Sequence, residues 1–345
     1  MTNFNDSTYI IYDQYLGQCL NMLNRIYFNS NEKQVATSYA FKLLAEDFQL
    51  MGHSNIALIC AGAYSLQIEK YNSYKTNKNI SDRNMYTRIQ ETFVLLHELI
   101  HYAFANNLTY NNINEIRTEV IELLEDRAST TDIGLADSYL SDRHKTIYGH
   151  DDSYSDYLTQ EQISSIESDL KSEHQQHMNE LIQIVTNKDS IIEEILCDDM
   201  AALLTIAIAT KQFKFPLKKT IDALYVGMMN LRILGIINKQ AIDFIGNYNT
   251  SQSFLKESGL RLIRHRNEAS LFFGIFTKNP KNGYKIQNTL TKTNIKYSRI
   301  ISDPILFMLP ESLNRLPKDK FLDIEYDYEE NTDINNKIDL ILRGN

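Results

Sequence analysis

Apolar residues recur three and four apart through the first fifty positions. Tyr9-Ile-Ile-Tyr with Leu16, Leu20, Leu23 and Ile26 forms one run, and Val35 to Leu50 a second. That period predicts two helices, separated by the polar Asn29-Ser-Asn-Glu. From Asn55 to Tyr71 the pattern alternates instead: Ile56, Leu58 and Cys60, an interruption at Gly62, then Tyr64, Leu66 and Ile68. This fits either a strand pair or a helix. A polar connector, 72–84, leads into a stretch from Arg88 to Asn106 that is mostly apolar and has no Gly or Pro, as a buried helix requires. Polarity returns from Ala128 to His177, with a solvated helix expected over Thr159–Glu180. Helices are expected again over Asp189–Lys211 and Lys219–Leu234. The β-like stretches are Ala269–Phe276 and Phe321–Tyr328, and the acidic run Asp323–Asp333 reads as a solvated tail.

Composition agrees with a mainly α fold carrying a small β component. Among 345 residues there are 12 glycines and 5 prolines, and all the prolines lie between Pro216 and Pro317. Apolar content of 43% is that of a globular chain. The pattern reads as a single domain, 1–345, with three regions: an N-terminal region (residues 1–87), a core (88–211) with a polar insertion (128–185), and a C-terminal region (212–345). A net charge of −9 argues against a nucleic-acid partner. Cys19, Cys60 and Cys197 are odd in number and far apart, so they imply no disulfide framework and fit a reducing, cytoplasmic setting. No basic region precedes an apolar run at the N-terminus. Ala201–Thr210 is short, and Ile221–Ile237 is broken by Asp222, Asn230 and Arg232, so no membrane partner is expected.

One motif changes this picture. His97-Glu98-Leu99-Ile100-His101 places two imidazoles four residues apart, on one helical face, where both reach a single Zn²⁺. Glu98, next along the turn, stands beside the open position of such an ion, as a general base for water. Burying two histidines and a glutamate on an apolar face without a shared partner would be costly.

A catalytic zinc needs a third protein ligand. Phe104 and Asn107 stand where a three-histidine extension would need Gly and His, which leaves a carboxylate from a second helix, followed one turn later by an Asp that orients a ligating His. Three E-x-x-x-D pairs occur: Glu122/Asp126, Glu194/Asp198 and Glu329/Asp333. The last lies in the acidic tail. Glu194 is preferred because its helix is the more apolar, with Ile195, Leu196, Ala201, Leu204 and Ile208; Glu122 is the rival.

Glu193-Glu194-Ile-Leu-Cys-Asp198-Asp-Met-Ala-Ala, taken with His97-Glu-Leu-Ile-His, resembles the two blocks of the gluzincin metallopeptidases. Within that superfamily the nearest likeness is to intracellular bacterial peptidases of the phage-exclusion kind. The resemblance is confined to 88–211. It implies a zincin-like core in which an HExxH helix and a second, Glu-bearing helix meet, and a strand before the motif helix, hence over 55–71. It also implies Zn²⁺ as cofactor and a protein or peptide substrate. His97, His101 and Glu194 would be the ligands, Glu98 the base, and Asp198 the acceptor from the far ring nitrogen of His97. An oxyanion donor would come from His265, Arg264, Arg266 or a tyrosine of Tyr148–Tyr157. The chain departs from the family by its long insertion, and by Arg266 after His265 where relatives carry His-Pro. His174 and His177, three apart on a polar helix, read as a solvated face.

Overall fold

The computed structural model describes residues 2–4, 7–9, 14–71, 78–106, 113–129, 159–246 and 249–315. Nearly all of it is helix. A two-stranded antiparallel pair, β1 (Thr2–Phe4) and β2 (Ser7–Tyr9), with Thr2 opposite Tyr9, opens the chain. The helices are α1 (Gln14–Asn29), α2 (Lys33–Leu50), α3 (Ser54–Lys70), α4 (Ile80–Ala105), α5 (Ile113–Ser129) and α6 (Gln160–Asn187). After them come α7 (Asp189–Lys211), α8 (Leu217–Gly246), α9 (Thr250–Phe276) and α10 (Asn282–Tyr297). Two turns of π-helix, Ser298–Ser302 and Pro304–Met308, lead to a final short helix, α11 (Leu309–Asn314).

Two expectations fail in the same direction. Residues 55–71 form α3, not strands: Ile56, Ile59, Cys60, Ala63 and Gln67 are buried at helical spacing, while Leu58 and Leu66, which alternation would bury, are exposed. Alternation of apolar residues was outweighed by a helical stripe that the small alanines conceal. Ala269–Phe276, read as β-like, is the last two turns of α9. Tyr9, grouped with the first helix, belongs to β2 instead. Phe321–Tyr328, the acidic run Asp323–Asp333, Asn107, and Tyr148–Tyr157 lie outside the described residues.

The chain packs as two units, Met1–Thr109 with Cys197–Asn345, and Tyr110–Leu196. In the first, α8 is the axis, and α1, α2, α4, α9 and α10 all pack on it. By length and composition α8 could cross a membrane, but 72% of its most apolar window is buried inside the protein, as in a core helix. Tyr225, Phe41, Phe48, Ile56 and Tyr297 anchor the surrounding core, and Cys19, Cys60 and Cys197 are small buried members of it. In the second unit α5 and α6 pack together, with Val120 and Leu124 facing inward from one helix and Leu181 and Val185 from the other.

A buried polar network sets the register of α4. Asn24 of α1 donates to Gln90 Oε1 of α4 at 2.9 Å and to Thr87 Oγ1 at 3.0 Å. Gln90 Nε2 donates to Asn24 Oδ1 at 3.1 Å and to the Ala223 carbonyl of α8 at 3.1 Å. Asn230 Nδ2 donates to Asn24 Oδ1 at 3.2 Å, and the Tyr297 hydroxyl donates to Asn230 Oδ1 at 2.7 Å. Buried amides carry no penalty when satisfied in this way, and they tolerate only one alignment. Gly227 lets α8 and α4 meet here: a Cβ at that position would stand 2.7 Å from Gln90 Cγ.

Candidate metal centre

Two turns beyond Gln90, α4 presents the motif. His97 is buried, His101 is half-buried, and Glu98 and Leu99 are exposed. The Nε2 atoms of His97 and His101 stand 3.1 Å apart. Two ligands of a tetrahedral ion, with bonds of about 2.0–2.1 Å, stand roughly 3.3 Å apart, so the spacing matches.

Glu194 projects from α7 one turn before Asp198 and is half-buried. One ligand atom from each of His97, His101 and Glu194 lies within 4.8 Å of the other two, and this is the one such group of three or more among the described residues. The rival, Glu122, is exposed on α5 and belongs to no such group. His174 is engaged away from any metal cluster, with Nε2 donating to the Arg127 carbonyl at 3.2 Å, and His177 is exposed. Of the apolar positions read from the sequence of α7, Ile195 and Ala201 are buried, Leu196 and Ile208 are half-buried, and Leu204 is 43% exposed.

Behind His97 sits a carboxylate. Asp198 Oδ1 lies 3.0 Å from His97 Nδ1, and Asp198 is 2% exposed. Arg261 of α9 grips the same carboxylate, Nε donating to Oδ2 at 2.6 Å and Nη2 to Oδ1 at 2.8 Å. Burial pushes the Asp198 carboxyl up, but the Arg261 guanidinium and the His97 ring outweigh it and hold the group well below the usual carboxylate range. The Asp198 carboxylate, 3.0 Å from Nδ1, electrostatically favours a proton on that nitrogen, which leaves the His97 lone pair on Nε2, the atom that faces His101. The donor set of two imidazole nitrogens and one carboxylate oxygen, with Nε2 so directed, fits a divalent transition-metal ion, zinc among them.

The suggested oxyanion donors have other engagements. Arg266 Nε donates to Gln287 Oε1 at 3.1 Å and Nη2 to Thr291 Oγ1 at 2.5 Å, both on α10. Arg264 is buried and paired with Asp199 Oδ2 at 3.0 Å and Glu268 Oε1 at 3.2 Å. His265 is 2% exposed, where a histidine between two arginines suggests a surface position. It stacks on Tyr225 with rings 6.5 Å apart and meets Phe93 edge-on at 6.4 Å. Neither of its ring nitrogens has a hydrogen-bond partner among the described residues. Burial lowers its pKa to about 4, against the opposing pull of Asp198.

Arg261 is the residue that the sequence did not single out. Its signal is a second arginine three positions before Arg264, so that α9 offers two cations on one face to the consecutive Asp198 and Asp199 of α7. That spacing has meaning only once α7 and α9 are known to face each other. No protein-family model matches the chain, and no curated protein or solved structure shows significant similarity to it.

Proposed function

We propose that the chain is a zinc-dependent peptidase of the gluzincin kind, acting on a protein or peptide substrate. The observation that carries this reading is the convergence of His97, His101 and Glu194, with Asp198 behind His97. His97, His101 and Glu194 would hold the ion. When bound, a zinc ion lowers the pKa of water at its open position and polarises a carbonyl.

The remaining work falls to side chains of this protein. Glu98 follows His97 on α4 and is open to solvent, so its carboxylate is free to take a proton from the attacking water and return it to the leaving nitrogen. Asp198 keeps the His97 Nδ1–H in place throughout. Leu95 and Leu99, 37% and 44% exposed, flank Glu98 on the same face of the helix. Such an open apolar surface suits the side chains of a peptide better than a small enclosed amide.

The test is a comparison of wild type with Glu98→Gln on an unfolded protein substrate, with zinc content measured in both. Zinc should remain stoichiometric while hydrolysis falls by at least about a hundredfold. Undiminished hydrolysis by the variant would rule out Glu98 as base, and a wild type that holds zinc but cleaves nothing would favour a binding role over catalysis.

A further inference from the structure

His97 would meet the ion through one nitrogen and meets Asp198 through the other, so the aim of its Nε2 is only as firm as the Asp198 carboxylate. That carboxylate has a second partner. Arg261 bonds both of its oxygens, at 2.6 and 2.8 Å, and shares Oδ1 with His97. A carboxylate held by one hydrogen bond can swing about its terminal torsion, whereas a guanidinium fork fixes its plane. The fork also places the positive charge of the partly exposed Arg261 against a carboxylate that is 2% exposed, so the buried charge is compensated. From this geometry we infer that Arg261 is the positioning residue of the metal centre: by locking the plane of Asp198 it aims His97 Nε2 at the point shared with His101 and Glu194. The inference rests on the metal-centre reading above.

A purely structural clamp between α9 and α7 is the competing account, and the protein contains a control for it. Arg264 pairs with Asp199 between the same two helices, one step along, and among the described residues the ion pair of His97 is with Asp198 and that of Asp199 with Arg264. Breaking either pair should loosen the packing of these helices. Only the Arg261 pair should reach the metal.

The experiment uses the full chain as wild type, Arg261→Gln, Arg261→Lys and Arg264→Gln. Zinc affinity is read by chelator competition, thermal stability by the unfolding of the metal-free forms, and the His97 tautomer by nitrogen NMR of labelled imidazoles. Arg261→Gln should weaken zinc binding roughly 10- to 100-fold and convert a single Nδ1–H tautomer into a mixture. Arg261→Lys, which keeps the charge but not the fork, should fall between it and wild type. Arg264→Gln should lower stability with zinc affinity and tautomer unchanged.

Wild-type zinc affinity and tautomer in both Arg261 variants would overturn the inference. So would a loss of affinity that tracks stability equally in Arg261→Gln and Arg264→Gln. Should Arg261→Gln fail to fold, Arg261→Lys decides the question by the same readouts. A wild type that takes up no zinc would sink the metal-centre reading instead; a His97 tautomer that still depended on Arg261 would then leave the positioning role standing.

Discussion

His97 and His101 turn their Nε2 atoms toward each other, 3.1 Å apart, in the C-terminal part of α4. Two imidazole lone pairs facing at that distance repel unless a proton or a cation lies between them. With the Nδ1 of His97 facing Asp198, a divalent ion would satisfy both rings and Glu194 together.

The choice between the two acidic helices can be decided by metal content. Glu194→Ala should lose most of its zinc at neutral pH, and Glu122→Ala, which alters an exposed side chain of α5, should retain it. Elemental analysis after exhaustive dialysis makes the comparison. Zinc lost with Glu122→Ala alone would transfer the ligand role to α5.

His265 should make the fold acid-sensitive. Its folded-state pKa is lowered to about 4, below the ordinary 6.5, so between those values the unfolded chain takes up a proton that the folded chain refuses. Its contribution to stability is therefore complete above 6.5 and is lost progressively as pH falls toward 4. Phe in its place keeps a ring between Tyr225 and Phe93 and removes the titration. Urea unfolding across this range should show a shallower acid slope for His265→Phe than for wild type. An unchanged slope would mean that other groups govern the acid response.

Gly227→Ala should be destabilising without touching His97, His101 or Glu194. The added Cβ would meet Gln90 Cγ at 2.7 Å, and Gln90 cannot step aside without breaking its bonds to Asn24 and Ala223. The expected cost is about 1–3 kcal/mol, the range for overpacking a filled core. Chemical denaturation measures it. A neutral result would show that α4 and α8 separate more readily than their shared network implies.

Much of the helical framework is legible in the sequence because helices with a strong apolar period declare themselves locally. α2 and α7 lie at or close to their expected bounds, Val35–Leu50 and Asp189–Lys211. α3 was obscured because Gly62 and a chance alternation of Ile56, Leu58 and Cys60 imitate a strand, and the end of α9 because Phe272, Phe273 and Phe276 favour β structure on propensity alone. At the site, the pairing of His97 with His101 follows from spacing within one helix. The approach of Asp198 to His97 depends on how α4 and α7 meet, and the E-x-x-x-D pattern alone did not choose between α5 and α7. Arg261 was beyond reach, since its role exists only through the packing of α9 on a carboxylate that another element supplies.

The amides and hydroxyl that join α1, α4, α8 and α10 also constrain how this chain can change. Asn24, Gln90, Asn230 and Tyr297 complete one another's valences, so an apolar substitution at any single position strands its former partners in a dry interior. Substitutions there are tolerable only in concert. A lineage that drifted toward a greasier centre would have to alter several of these positions together or forfeit the seating of the helix that bears both imidazoles.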